Sequence, residues 1–411
     1  MQNSAAATSA AADTTEHELP QGFQAAGVYS GVKRNTSKLD LSLTLSDRPA
    51  TAAGVYTQNR VYAAPVAFDR QRTPSAAMRL VVANSGNANA CTGERGLADA
   101  TEMARVAAEA CGVKPTEVLV LSTGIIGSFL PMEKITAGIR DAAAKLGSTP
   151  QHLVTAAQGI LTTDTVHKLA SRRLEGDGAA VQITGMAKGA AMIGPNMATM
   201  LSVLLTDAPL DMANAQAMLR EIADLTFNCI SVEGHMSTND SVLLLGNGAA
   251  GGSNLSGARL KQFRAALTEV CTELARAIPT DGEGATHLIT LDVEGCATVA
   301  AARQIAKTVA ESPLVKTAIA GADPNWGRIV SAAGYSGIEF DASAVDLDIN
   351  GHALYRRGAP VSFDAETVSE SIRASRETNV VLTFHEGKSR VRFWTTDLTA
   401  EYVRLNADYH T

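Results

Sequence analysis

The chain has 411 residues, which at typical domain sizes corresponds to two or three domains. Hydrophobic residues make up 45% of it and charged residues 19%, so it can bury a core and is expected to be globular. Its formal net charge is −7 and aromatic residues are only 4%, which excludes a nucleic-acid binder that needs a basic face and stacking rings. The most apolar stretch, around Met197 to Leu205, is too short to span a bilayer.

The N-terminal segment 1–18 is small, polar and low in complexity, without Lys, Arg or an apolar run. We expect a disordered tail and neither a secretory signal nor a transit peptide. The eight histidines lack the spacing of metal ligands, so no metal site is predicted. Five unclustered cysteines favour buried thiols in a reducing cytoplasm over disulfides or a zinc site; they are Cys91, Cys111, Cys229, Cys271 and Cys296.

Strand-like and helical patterns alternate from Leu19 to the C-terminus. The predicted strands are 80–82, 118–121, 179–185, 199–206, 241–246, 288–294, 345–349, 379–384 and 390–395. The predicted helices are 97–111, 131–146, 211–226, 258–278, 298–311 and 365–377. This order favours a layered α/β or α+β architecture. A shift in composition after residue 284 predicts a catalytic α/β core over 19–288 and a smaller C-terminal α/β domain over 289–411.

Polar, glycine-containing loops follow the first two predicted strands. In residues 84–93, NSGNANACTG, the density of Asn and Gly predicts a tight loop held by side-chain-to-backbone hydrogen bonds. The loop lacks the glycine and lysine spacing of a phosphate cradle, and no neighbour would activate Cys91 as a nucleophile, so a structural role is favoured. In Ser122–Gly127, backbone N–H groups and the Thr123 hydroxyl could stabilise an oxyanion, although such turns are common.

A third loop, Lys188 to Leu201, is punctuated by glycine and leads into an apolar strand. Thr199 is either the first β-branched residue of that strand, which the residue pattern alone favours, or a nucleophile. As a nucleophile it would use its own α-amine as the base, which requires cleavage of the Ala198–Thr199 peptide bond.

A fourth loop, Thr280 to Thr286, places Glu283 between two glycines. It lacks the acidic spacing of a calcium-binding loop. The loop is therefore interpreted either as a turn with a solvated acid or as a carboxylate held beside a substrate.

Together, these segments resemble the ornithine acetyltransferase family, also called glutamate N-acetyltransferase, of arginine biosynthesis. The resemblance runs from about residue 20 to the end of the chain. The motifs that carry it, in family order, are NSGNANACTG, LSTGIIG, LTTDT, GMAKG, PNMATML, TDGEGAT, DPNWGRI and LNADY. Because several of these are long and specific, the chain is identified as a member of this family.

The resemblance implies a self-processing enzyme of the N-terminal-nucleophile type in mechanism, on an α/β layered sandwich of its own kind. The precursor would be cut between Ala198 and Thr199 into an α chain, 1–198, and a β chain, 199–411. Thr199 would take the acetyl group of N2-acetyl-L-ornithine and release L-ornithine. It would then pass the acetyl group to L-glutamate, giving N-acetyl-L-glutamate by ping-pong acyl transfer.

The resemblance also implies the site residues. Thr123 and Gly124 correspond to the family's oxyanion-hole pair, and the cation of Lys188 would suit a substrate carboxylate. Of the two threonines that begin the TTDT motif, the first is preferred as the substrate contact. Contacts from the C-terminus imply that the tail folds back into the site. The implied substrate-binding residues are Thr162, Thr163, Lys188, Thr199, Glu283, Asn406 and Thr411.

Two segments depart from the family pattern. The family usually has a glycine near Ala191 and often a larger residue where Gly194 stands. Residues 227–240 read FNCISVEGHMSTND, where the family usually shows a pattern close to VDGDTSTND. The histidine of this loop is interpreted as a substitution rather than a catalytic base, because the α-amine already supplies one. The substitutions, which bear on acceptor preference, are Glu233, His235 and Met236.

The expected partners are the small-molecule substrates and a self-assembly of two α and two β chains in the cytoplasm, with no nucleic acid or membrane. No metal and no tightly bound cofactor is expected. Family members differ in whether they also use acetyl-CoA as a donor, and the sequence leaves that question open. Two alternatives also stay open: a related self-processing aminopeptidase or amidase with water as acceptor, and an unprocessed homologue without the chemistry.

Overall fold

The computed structural model describes residues 17–176, 178–194 and 200–408, in which helices surround two β-sheets. The strands of the first sheet are β1 (Phe23–Val28), β2 (Leu41–Tyr56), β3 (Ser75–Asn87), β4 (Val118–Ile125), β5 (Lys168–Leu174), β6 (Val181–Lys188), β7 (Leu201–Thr206) and β8 (Ser241–Gly246). Those of the second are β9 (Leu288–Cys296), β10 (Asp346–Ile349), β11 (His352–Arg356), β12 (Ala359–Pro360), β13 (Glu377–Thr383) and β14 (Ser389–Thr396).

The α-helices lie between and around these strands. They are α1 (Ala64–Arg70), α2 (Gly93–Cys111), α3 (Met132–Ala144), α4 (Pro150–Gly159), α5 (Met212–Leu225), α6 (Gly257–Thr280), α7 (Val299–Glu311), α8 (Pro313–Ala320), α9 (Trp326–Gly334), α10 (Ala365–Arg373) and α11 (Ala400–Asp408). Across the described part of the chain, none of them combines the length and apolar character that crossing a membrane requires.

The long strand β2 connects the two halves of the first sheet, whose order is β4-β3-β2-β8-β7-β6-β5 with β1 beside β2. Its pairing with β3 shifts between Leu45 and Ala50, and the residues beyond pair with β8. Buried side chains from both halves then meet in one hydrophobic cluster, among them Val81, Leu119, Val203 and Leu243. The two halves of the sheet therefore share a core.

Strand β7 lies inside the first sheet, antiparallel to β6 and parallel to β8. All six of its residues, LSVLLT, are buried, and such a nearly continuous apolar run is typical of a strand covered on both faces. Leu201 pairs with Lys188 on one side and with Ser241 on the other. The chain therefore enters the sheet at Met200, between the end of β6 and the start of β8.

The second sheet has the order β12-β11-β10-β13-β9-β14, and it packs into the same core as part of the first. An isolated bridge also pairs Ile230 with Trp394 of β14. The shared cluster includes residues of β7, β8, α6, β9 and β14, namely Leu204, Leu244, Leu274, Leu291 and Trp394. The division at 288/289 stays a prediction, although one sheet ends at Gly246 and the other begins at Leu288.

The layered α/β architecture predicted from the sequence is confirmed, and each predicted strand and helix corresponds to an observed element. The predicted helix 365–377 is wrong at its end, because α10 stops at Arg373 and Glu377 already begins β13, parallel to β9. Residue 199 of the predicted strand 199–206 and residues 1–16 of the predicted tail lie outside the described residues. The elements that periodicity missed are β1, β2, β5, β11, β12, α1, α4, α8, α9 and α11.

We predict that Gly27→Ala destabilises the fold strongly. A Cβ at Gly27 in β1 would lie 1.8 Å from the backbone oxygen of Thr155 in α4, so strand and helix would have to separate. Overpacking of this kind typically costs about 1–3 kcal/mol. The measurement is the free energy of unfolding in urea. The control is Gly334→Ala, where no atom lies within 4 Å and the change should be neutral or stabilise by up to about 1 kcal/mol. Equal stabilities of the two variants would contradict this packing.

Candidate active site

A cavity of about 930 Å³ opens where the ends of β4 and β6 meet several loops. Its size is typical of small-molecule sites. Seven of the residues expected from the sequence line it, namely Thr123, Gly124, Thr162, Thr163, Lys188, Glu283 and Asn406. The other expected positions, Ala198, Thr199 and Thr411, lie outside the described residues.

The Asn-rich segment 84–93 begins with the last four residues of β3, which pair with the end of β4 at the edge of the cavity, and it leads into α2. Ser122 Oγ donates to Asn84 Oδ1 at 2.6 Å. Asn239 Nδ2 donates to the backbone oxygens of Ala88 at 2.6 Å and Ser122 at 2.7 Å. The prediction of a buried thiol is wrong for Cys91, which is exposed and is not among the described residues that line the cavity. The structural role of this segment stays a prediction, which these hydrogen bonds suit.

Gly124, the residue before the last one of β4, has a conformation that only glycine accommodates easily. Its φ is +135°, and a Cβ would lie 2.3 Å from the carbonyl carbon of Gly86 and 2.5 Å from Asn87 N. The buried Thr123 precedes it, paired with Ser85 of β3. The tight approach of β3 fixes the backbone of residues 123–124 against the cavity, which suits the oxyanion-hole role that stays a prediction for them.

A buried ion-pair cluster fixes three of the cavity loops. Lys168 Nζ donates to Asp164 Oδ1 and to Asp281 Oδ2, both at 2.7 Å, and all three side chains are buried. Asp164 also accepts from the backbone N–H groups of Thr162 at 3.0 Å and Gly189 at 2.6 Å. One ammonium group therefore connects the TTDT loop, the end of β6 and the turn that carries Glu283.

The side chain of Lys188, at the end of β6, brings a buried cation to the cavity. Burial lowers the pKa of Lys188, while the carboxylates of Asp164, Asp240 and Glu283 oppose that shift. Burial alone would raise the pKa of Asp164, but Lys168 and Lys188 hold it well below its usual range. The cavity thus holds Lys188 beside an ionised carboxylate, where it is available to an anionic group.

The C-terminal helix α11 forms one side of the cavity. Asn406 Nδ2 donates to Glu283 Oε2 at 3.0 Å, and Glu283 N donates to Ala190 O at 2.9 Å. A Cβ at Gly284, where φ is +67°, would lie 2.5 Å from Tyr402 N, so only glycine lets the turn and α11 approach so closely. Burial and the nearby carboxylates raise the pKa of Tyr402 to about 12. The tail therefore reaches the loop that presents Glu283.

Comparison with known proteins identifies the family. The ArgJ family model matches residues 24–411. The chain is 47% identical over 401 residues to the arginine biosynthesis bifunctional protein ArgJ of Rhodopirellula baltica, covering 97% of this chain and 98% of that protein. It is 49% identical over 397 residues to the protein of the same name from Symbiobacterium thermophilum, covering 95% and 98%. The chain belongs to the ArgJ family. A crystal structure of the ArgJ bifunctional protein from Bacillus halodurans is similar over 49% of this chain and 96% of its own, with 38% identity and a TM-score of 0.48.

In this member of the ArgJ family, the two segments that depart from the family pattern contact each other. A Cβ at Gly194 would lie 2.5 Å from the carbonyl carbon of Gly234. Ile193 O accepts from Val232 N at 2.9 Å and from Gly234 N at 3.0 Å. A larger residue at position 194 does not fit against Gly234 as the two segments are packed here.

Glu233 is a half-buried residue of the cavity whose carboxylate oxygens are buried, which the sequence did not predict. Neither carboxylate oxygen has a hydrogen-bond partner among the described residues. Burial raises the pKa of Glu233 to about 7, and nearby backbone N–H groups and Lys316 lessen the rise without forming full hydrogen bonds to it. His235 and Ser237 also line the cavity, whereas Met236 does not.

Five further residues around the site were not assigned a role from the sequence. Three lie in motifs that were recognised, TTDT, STND and TDGEGAT, and a fourth, Lys168, follows TTDT by three residues without any pattern that marks it. They are Asp164, Lys168, Asp240, Asp281 and Tyr402. Within the described ranges, no group of three or more His, Cys, Asp or Glu side chains is arranged to hold a metal ion.

We predict that Glu233→Gln stabilises the protein above pH 7. The pKa of Glu233 is raised from 4.5 to about 7, so the folded chain binds this proton more tightly than the unfolded chain does. Stability is therefore lost as the pH rises from about 4.5 to 7, and a shift of this size corresponds to up to about 3 kcal/mol. Urea unfolding at pH 8 should show the gain, and unfolding at pH 4.5 should not.

The control for this prediction is Glu339→Gln, which changes an exposed glutamate outside the cavity. It should leave the free energy of unfolding unchanged at both pH values. Identical free energies for wild type and Glu233→Gln at pH 8 would contradict the burial argument.

Proposed function

We propose that this member of the ArgJ family cleaves itself between Ala198 and Thr199 and then transfers an acetyl group from N2-acetyl-L-ornithine to L-glutamate. Family membership supports the reaction and its place in arginine biosynthesis. The single observation that carries the site assignment is the convergence in one cavity of seven expected residues drawn from positions 123 to 406.

In the first half-reaction, Thr199 Oγ attacks the acetyl carbonyl carbon while the α-amine of Thr199 takes the hydroxyl proton. The negative charge that develops on the acetyl oxygen is stabilised by the backbone at Thr123 and Gly124. The bond between the carbonyl carbon and the ornithine nitrogen then breaks, and the proton passes from the amine to the leaving nitrogen. The products are L-ornithine and an acetyl-threonine ester.

In the second half-reaction, the α-amine of L-glutamate attacks the carbonyl carbon of the ester, and the bond from that carbon to Thr199 Oγ breaks. The proton of the attacking nitrogen passes through the α-amine of Thr199 to Oγ, which restores the hydroxyl and releases N-acetyl-L-glutamate. Ornithine and glutamate are both α-amino acids, so one arrangement of charges can bind either in turn. The buried ammonium of Lys188 suits the α-carboxylate, and Glu283, oriented by Asn406, suits the amino group. The threonines at 162 and 163 lie at the wall of the same cavity.

The proposal also covers a second acetyl donor, the assembly of the chains and the location of the enzyme. Because the curated relatives are named bifunctional, we propose that acetyl-CoA serves as a second acetyl donor. We propose assembly from two α and two β chains, which light scattering tests against the 42.8 kDa mass of one chain. We also propose that the enzyme acts in the cytoplasm.

We predict that Thr199→Ala abolishes both self-cleavage and acetyl transfer, because it removes the attacking hydroxyl. Denaturing electrophoresis should show one band near 42.8 kDa instead of two fragments, and turnover should fall by at least about 10³-fold. The matched control is Ser202→Ala in β7, which removes a buried hydroxyl without a hydrogen-bond partner among the described residues. That variant should be cleaved and active. A cleaved and active Thr199→Ala protein would refute the assigned nucleophile.

We also predict that acetyl release from acetylornithine depends on glutamate. Processed protein is incubated with acetylornithine, with and without glutamate, and ornithine and N-acetylglutamate are quantified. Multiple turnovers should occur only when glutamate is present, because in the proposed reaction the amine of glutamate, and not water, attacks the acetyl-threonine ester. Sustained turnover without glutamate would instead favour the amidase alternative. Replacing acetylornithine by acetyl-CoA in the same assay tests the second donor.

A further inference from the structure

The lysine and arginine side chains that line the cavity differ in depth. Among the described residues, Lys188 at the end of β6 is only 1% exposed, whereas Lys38 and Arg376 line the same cavity and are exposed to solvent. A residue that both lines a cavity and contacts bulk water lies at its opening. The two exposed cations therefore mark the mouth of the cavity, and Lys188 lies inside it.

The loop between β1 and β2, which carries Lys38, is held tightly in place. The buried carboxylate of Asp40 accepts from Lys33 N at 2.9 Å. Lys33 Nζ donates to Leu161 O at 2.7 Å, which ties the loop to the residue just before the TTDT motif. The backbone that presents Lys38 is therefore fixed beside the wall of the cavity that carries the expected substrate threonines.

Arg376, in the turn between α10 and β13, lies against a different wall. Its Nη2 donates to Thr280 O at 2.8 Å and to Ala285 O at 3.3 Å, on either side of the residue that presents a carboxylate to the cavity, Glu283. In the described part of the chain, no acceptor binds Nε or Nη1 of this guanidinium group. These two nitrogens remain available to an anion.

The mouth of the cavity carries positive charge that no carboxylate neutralises. Among the described residues, none forms an ion pair with Lys38 or Arg376. Of the carboxylates that line the cavity, Asp281 is bound by Lys168 at 2.7 Å, and Glu283 accepts from the side-chain amide of α11 at 3.0 Å. The whole chain has a formal net charge of −7, so this local excess of cations favours an anionic ligand at the mouth.

The proposed acetyl donors differ in how far their charges lie from the acetyl group. Acetylornithine is a small amino acid, whose carboxylate is close to the reacting amide and suits the cation inside the cavity. Acetyl-CoA carries its phosphate groups at the far end of a long uncharged arm. When its acetyl group lies inside the cavity, its phosphates lie outside, and lysine and arginine are the side chains that bind phosphate. The separation between inner and outer cations matches that arrangement.

We propose that Lys38 and Arg376 bind the phosphate groups of acetyl-CoA at the mouth of the cavity and select it as the second acetyl donor. This rests on the proposed function, which supplies the nucleophile. The step is the first half-reaction with a sulfur leaving group. Thr199 Oγ attacks the thioester carbon, the carbon–sulfur bond breaks, and the hydroxyl proton passes through the α-amine to the sulfur. The products are the acetyl-threonine ester and coenzyme A with a free thiol.

The test is Lys38→Gln, which removes an exposed charge without disturbing the core. Three donors are compared with glutamate as acceptor: acetyl-CoA, S-acetylpantetheine, which has the same thioester and no phosphate, and acetylornithine. The KM for acetyl-CoA should rise by about fivefold, as expected for one exposed ionic contact, and the KM for the other donors should stay within about twofold of wild type. Arg376→Gln should act in the same direction, and the double variant should reach about twentyfold.

Two results would contradict phosphate recognition by these residues. An unchanged KM for acetyl-CoA in both single variants would overturn the proposal, and so would an equal rise for S-acetylpantetheine. An alternative partner for Lys38 is the side-chain carboxylate of the acceptor. A rise in the KM for glutamate, with acetylornithine as donor, would assign Lys38 to the acceptor and overturn the proposal as well.

The matched control is Lys261→Gln, which makes the same charge change on an exposed lysine near the start of α6. This residue does not line the cavity. Every KM should remain at the wild-type value. If this variant raised the KM for acetyl-CoA as much as Lys38→Gln does, general attraction between protein charge and phosphate would explain the effect, and the proposed site would be overturned.

Wild-type protein is assayed first, which separates this proposal from the proposed function. A wild type that transfers from neither donor would overturn both. Transfer from acetylornithine without transfer from acetyl-CoA would leave the first reaction in place and overturn the present proposal alone. Isothermal titration with coenzyme A checks the site without turnover. Binding that is about fivefold weaker in Lys38→Gln than in wild type supports the proposal, and equal binding overturns it.

Discussion

The ammonium group of Lys168, buried between the carboxylates of Asp164 and Asp281, is the interaction on which the cavity depends. Two carboxylates at 2.7 Å surround one cation, and the remaining acceptor sites on Asp164 are used by the backbone at Thr162 and Gly189. Removing the cation would leave two buried negative charges close together, so the loops could not keep their present positions. The cluster thereby sets the distances among the TTDT loop, Lys188 and the turn of Glu283 without itself being the reactive group.

Local patterns in the sequence were enough to predict most of the buried elements. Strand β8 was predicted at its observed ends, because a run of apolar residues is bounded by polar turns, and α2 and α6 follow from their apolar faces and flanking residues. Strand β2 was not predicted, although its first six residues, LSLTLS, alternate between apolar and polar side chains. The alternation stops at Asp47, and the full length of the strand depends on pairing with two different partners. The periodicity of a segment indicates its own secondary structure. It does not indicate which distant segments that strand pairs with.

The candidate site likewise combines residues that the sequence predicted with contacts that it could not predict. The oxyanion-hole and substrate-binding residues were named through family motifs, and the seven that are described do line one cavity. No spacing rule could have paired Lys168 with Asp281 or Asn406 with Glu283, because each pair joins segments more than a hundred residues apart. Glu233 and Gly194 were recognised as departures from the family pattern, yet only the structure shows that residues 194 and 234 contact each other.

The position of β7 and β8 has a consequence for the two chains that cleavage at Ala198–Thr199 would create. In the sheet order β4-β3-β2-β8-β7-β6-β5, the two strands that follow the cut are inserted between strands that precede it. The fragments would be joined by backbone ladders on both sides, β2 to β8 and β6 to β7, instead of by a surface that each could present alone. The shared sheet can then form only while both fragments fold together. Separately produced fragments should therefore associate only when they are refolded together, and mature enzyme molecules should not exchange their chains.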